Sequence, residues 1–127
     1  MKKWNDLTLT DVINYHNFVL AFGTFLDAFR HSENKSNMIN APPLPSSRED
    51  ENIKLNLCIL AASAHKLAND YKIDVPAWVE EPIYKMPYPV YAFDTKNKQY
   101  QEYLVENTPY EFEIKNIFYG SSVLERV

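Results

Sequence analysis

Ile53, Leu57, Leu60, Ala64, Leu67 and Tyr71 follow one another at three- and four-residue steps without a break. A run of that period predicts one helical face turned into a core. Ser46 or Ser47, followed by Glu49 or Asp50, gives a capping-box-like start, and the helix is expected to extend to about Lys72. Ala61, Ala62, Ala64 and Ala68 leave room for a neighbour to approach closely.

The neighbour is expected upstream. Thr10 to about His31 reads as one helix, with Thr8 or Thr10 as N-cap and Asp11 in the first turn, where it complements the helix dipole. Tyr15, Phe18, Phe22, Phe25 and Phe29 form an aromatic stripe, with Val12, His16, Val19, Gly23 and Leu26 beside it. A helix apolar over so much of its circumference is buried on two sides, at the domain centre or in part at a homodimer contact. Gly23 costs about 1 kcal/mol relative to Ala in a helix interior, which implies a close crossing. An antiparallel pair with Gly23 near the alanines is the expected core.

Composition supports helices. The chain has 2 Gly against 8 Pro, and antiparallel hairpins depend on glycine for positive φ. At 127 residues with 46% hydrophobic side chains, residues 1–127 are expected to form a single helical domain. Between the long helices, Ala41-Pro42-Pro43-Leu44-Pro45 forces extended backbone, pinned by Met38 and Ile39. Pro76 suits the first position of a short helix that Pro82 ends, and the strip Tyr84–Phe93 is too proline-rich for an interior strand or helix and should lie extended over the core. Asp94 or Thr95 would cap a further helix carrying Tyr100, Tyr103 and Leu104. Thr108-Pro109-Tyr110-Glu111 combines a cap, an N1 proline and a reciprocal Glu for another short helix, after which Asn116–Gly120 reads as extended and Ser121 or Ser122 caps a last turn. The expected class is all-α, or mostly α: two long antiparallel core helices, with shorter helices and Pro-rich extended segments packed around them.

The residues that carry chemistry are sparse. Cys58 rules out an internal disulfide, fits a reducing compartment, and sits beside Leu57 and Ala61 as a packed core thiol. His65 is two turns away on the same helix, about 10 Å by helix rise, too far to act as its base. His16, His31 and His65 lack metal-ligand spacing, so no metal site is expected. His65 is expected to hydrogen-bond on its helix face, and His31 to favour a helix C-terminus. Glu80-Glu81 and Glu111/Glu113 read as solvated carboxylates rather than a catalytic pair, and Gly23 and Gly120 alone cannot build a glycine-rich phosphate cradle. No catalytic residue and no cofactor is therefore assigned. An enzyme or small-ligand binder whose site assembles from distant residues such as His65, Tyr88, Glu80 and Tyr119 is one alternative, and a homo-oligomeric scaffold built on the two-sided apolar first helix is another.

A net charge of −4 argues against direct nucleic-acid binding. With neither an apolar leader nor a membrane span in the sequence, a cytoplasmic protein is expected. The strip from Tyr84 to Phe93 is the segment whose composition suggests recognition of a protein partner, since aromatics and prolines offer contact area at low ordering cost. Trp78, Tyr84, Tyr88 and Tyr91 are the candidate partner-binding residues.

Phe25-Leu26-Asp27-Ala28-Phe29, Ala41-Pro42-Pro43, Leu60–Ala68, Val75-Pro76-Ala77-Trp78, Thr108-Pro109-Tyr110-Glu111-Phe112 and Asn116-Ile117-Phe118-Tyr119-Gly120 with Leu124 occur in an order that resembles a bacterial domain. That domain follows a helix-turn-helix in many regulators and is considered antitoxin-like because some members neighbour a nucleotidyltransferase-type toxin gene. The resemblance spans roughly Asn14 to Val127 and implies a helical, non-enzymatic protein-interaction module, the antitoxin or accessory half of a toxin–antitoxin pair. Here the first helix begins near Thr10, with no room ahead of it for a helix-turn-helix, so repressor activity is not implied.

Overall fold

The computed structural model describes residues 7–46 and 52–124. Helices dominate: α1 (Leu9–Asn14), α2 (Phe18–His31), α3 (Lys35–Ile39), α4 (Ile53–Asp70), α5 (Lys98–Asn107) and α6 (Tyr110–Glu113). Two short strands, β1 (Val90–Tyr91) and β2 (Ile117–Phe118), pair in parallel, Val90 with Ile117 and Tyr91 with Phe118. Turns of 3-10 helix occupy Ala77–Glu80, Pro82–Tyr84 and Ala92–Asp94.

α4 is the helix that the Ile53–Tyr71 periodicity predicts, and Leu57–Ala64, Leu67 and Ala68 are all buried along it. α4 begins at Ile53 with Asn52 at its N-cap position, later than the start expected at Ser46 or Ser47, while Ser47, Glu49 and Asp50 lie outside the described residues. The far end of α4 closes with Lys72 in left-handed conformation (φ 57°). The Ile73 N–H bonds the Ala68 carbonyl and the Lys72 N–H that of Asn69, the paired geometry in which glycine is the usual occupant.

The single helix expected over Thr10–His31 is two. Thr8 closes a reciprocal capping box with Asp11 at the start of α1, and the chain then turns at Tyr15–Asn17 before α2. Short polar side chains that bond locally compete with helix continuation. The Asn17 side chain accepts the Leu20 N–H at 3.1 Å, while Asn14 grips the proline segment by donating to the Leu44 carbonyl and accepting the Ser46 N–H. The break turns Val19 out to solvent and leaves Phe18 and Phe22 half-buried, while Phe25, Leu26 and Phe29 stay in the core. The segment after α2 contains α3, whose Met38 and Ile39 are buried as anchors. α1 packs most extensively on α2, and α4 on α6 and on the turns at Ala77–Glu80 and Pro82–Tyr84. The Phe29 ring meets Tyr71 edge-on at 5.3 Å, which ties α2 to the end of α4.

Further along, Asn97 rather than Asp94 or Thr95 caps α5. The capping motif expected at Thr108 does not form, because Thr108 Oγ1 turns back to donate to the Leu104 carbonyl at 2.6 Å and accept the Gly120 N–H at 3.0 Å. Glu111 instead accepts from Asn69 at 2.8 Å. Gly120, at φ 91°, holds a conformation that side-chain-bearing residues avoid.

Candidate functional site

The aromatic strip and the segment before it divide into an inward and an outward part. Trp78 is 7% exposed and donates from Nε1 to the Ile39 carbonyl at 2.9 Å, pinning α3. Tyr84 is equally buried and meets Trp78 edge-on at 5.2 Å. Burial pushes the Tyr84 phenol up, with Glu81 and Cys58 adding to it. Met86 completes this inward group.

The chain is then tied at two points. The Met86 N–H bonds the Lys115 carbonyl and the Val90 N–H bonds that of Asn116, while Asn116 Nδ2 donates to the Met86 carbonyl at 2.7 Å. Between the ties, Pro87, Tyr88 and Pro89 stand out from the surface, with Tyr88 63% exposed. Tyr91 returns to stack on Phe118 at 5.5 Å. Phe93 and Asp94 then both take left-handed backbone, φ 58° and 50°, and Phe93 is left 92% exposed. Two adjacent residues without glycine's freedom in that region carry strain. Of the four residues expected to meet a partner, Trp78 and Tyr84 thus serve the core, Tyr91 is half-buried against β2, and Tyr88 faces solvent. Phe93, at the end of the same strip, was not among them.

A second region lies where α4, α6 and the 3-10 turns meet. A cleft of about 220 Å³ is walled by Val79, Pro82, Tyr110 and Ile114, with His65, Glu80, Glu81, Lys85 and Lys115 as its polar members. α4 supplies His65, the 3-10 turns supply residues 79–82, and α6 with its exit supplies Tyr110, Ile114 and Lys115. His65 meets Tyr110 edge-on at 6.4 Å. The hydrogen bond expected of His65 is not made: its buried Nδ1 has no partner among the described residues. Of the distant residues considered for an assembled site, His65 and Glu80 meet here, and Tyr88 and Tyr119 do not line the cleft.

Lys115 is 5% exposed and donates to the Val79 carbonyl at 2.5 Å. Burial pushes its ammonium down from the usual lysine range, and Cys58 and Glu80 pull it back. Cys58 is a buried thiol, as expected, and burial pushes it up against the opposing charges of Lys54 and Lys115. Sequence reasoning missed Lys115, because no local pattern marks a lysine that turns inward.

Among the described residues no group of His, Cys, Asp and Glu is arranged to hold a metal ion. No helix among them is long and apolar enough to cross a membrane. The chain matches no family model, no curated protein and no solved structure.

Proposed function

We propose that this chain is a non-enzymatic protein-interaction module that acts in the cytoplasm as the antitoxin or accessory half of a bacterial toxin–antitoxin pair. In this reading recognition is carried by the outward part of the strip, held on a mostly helical frame. The observation behind it is the presentation of Phe93, an aromatic side chain held in solvent on strained backbone, with Tyr88 raised between two prolines close by in the chain. Exposed aromatics on a braced loop contribute contact area with little entropy left to lose, as interface anchors require. The β1–β2 pairing and the Met86 and Val90 ties supply the brace.

Co-expression with the product of the adjacent gene tests the reading. A stable complex that is lost on Phe93→Ala, in a variant that still folds, supports it. Two folded proteins that elute separately at micromolar concentration would remove it.

A further inference from the structure

The cleft at His65 is distinct from the aromatic loop, and its lining is informative about what it would hold. A buried cation normally finds a counter-charge, because desolvation otherwise costs several kcal/mol. Lys115 has three N–H donors, one of which meets the Val79 carbonyl, and it forms no ion pair among the described residues. Val79 and Lys115 both line the cleft, so their contact sets the positive charge at its wall. His65 shares that lining with a nitrogen left unpaired.

We propose that this cleft binds a small organic carboxylate, with its charged end on the Lys115 ammonium and its apolar body against Tyr110 and Ile114. Two oxygens with four acceptor directions match the two remaining lysine donors and an imidazole N–H. The volume of about 220 Å³, at ~30 Å³ per water-sized group, suits a molecule of modest size rather than a nucleotide. Glu80 and Glu81 at the exposed rim disfavour a doubly charged phosphate more than a singly charged carboxylate, and Lys85 beside them offsets part of their field. The lowered Lys115 ammonium follows from the same burial and would be restored towards its ordinary range by a bound anion.

Benzoate is a direct probe, with benzamide and benzamidine as neutral and cationic counterparts of the same planar shape. Titration of the full chain, followed by amide and imidazole NMR, should give saturable shifts at Tyr110, Ile114, Lys115 and the His65 ring with a Kd on the order of 1 mM. Benzamide should bind roughly tenfold more weakly or worse, and Lys115→Met, which keeps the stem, should abolish benzoate binding while leaving the remaining amide spectrum in place. If that variant does not fold, nuclear Overhauser contacts from the benzoate ring to Tyr110 and Ile114 in the unsubstituted chain decide the matter. Absence of those contacts, shifts confined to other surfaces, or equal affinity for benzoate and benzamide would overturn the assignment.

Discussion

Residues 78–86 and 87–94 both carry aromatics and proline, the second stretch more densely, and they meet opposite fates. In the first stretch Trp78, Tyr84 and Met86 close the core over α4 and α3; in the second, Tyr88 and Phe93 are turned to solvent. The difference lies in the backbone. The bonds from Met86 to Lys115 and from Val90 to Asn116 fix the chain at both ends of a three-residue excursion, and the left-handed pair at Phe93 and Asp94 then reverses the side-chain direction. Composition alone says that such a stretch is sticky; the anchoring hydrogen bonds decide which parts of it face the core.

The comparison breaks most visibly at Trp78. Trp78→Ala should cost about 3–5 kcal/mol in chemical denaturation, because it opens a cavity and orphans the Ile39 carbonyl, whereas Tyr88→Ala should stay within about 0.5 kcal/mol. If the two cost the same, the inward and outward assignment is wrong. Next comes the support beneath the outward part. Thr108→Val keeps the shape of the side chain but strands the Gly120 N–H just after β2, and should cost about 1–3 kcal/mol. Smaller still, and opposite in sign, Phe93→Asn should stabilise by up to about 1 kcal/mol, since asparagine tolerates the left-handed region and no packing is lost. A destabilised Phe93→Asn would mean that Phe93 is buried in the folded chain.

The inward part also predicts an alkaline response. The folded-state pKa values of Cys58, Tyr84 and Tyr119 are raised by burial, so these groups hold protons more tightly when folded. The stability they confer is complete below their ordinary ranges and is lost as pH rises from about 8.5, where free thiols titrate. Lys115 is shifted the other way: the unfolded chain holds its proton more tightly, and stability gained as pH approaches about 10.4 opposes that loss. Thermal melts from pH 7 to 10.5 should therefore fall more steeply in Lys115→Met than in the parent; an unchanged slope would contradict the stated burial.

Much of this was legible in the sequence, and the failures have physical causes. The α4 periodicity, the Thr8–Asp11 cap and the buried Cys58 all follow from local pattern, whereas the strip expected to lie extended over the core is broken by 3-10 turns at Pro82–Tyr84 and Ala92–Asp94 and carries Tyr88 and Phe93 out to solvent. The break at Tyr15–Asn17 did not, because the apolar stripe runs through it; what interrupts the helix is the hold of Asn14 on Leu44 and Ser46, thirty or more residues away. Thr108 was misassigned for the same reason, since its hydroxyl is claimed by Leu104 and Gly120 instead of α6. The cleft was half visible, with His65 and Glu80 named as distant partners, while Lys115 was missed because nothing local distinguishes a lysine that points inward. Scarcity of glycine misled in a narrower way: Lys72, Phe93, Asp94 and Asn116 take the left-handed positions that glycine would ordinarily mark.

The most direct test of the central claim, that residues 87–94 serve a partner and residues 78–86 the fold, is one binding measurement on a double variant. Tyr88→Ser/Phe93→Asn should melt within a few degrees of the parent yet lose at least about tenfold in affinity for the adjacent gene product. Undiminished binding by that variant, or a melting temperature lowered as far as that of Trp78→Ala, would contradict the account.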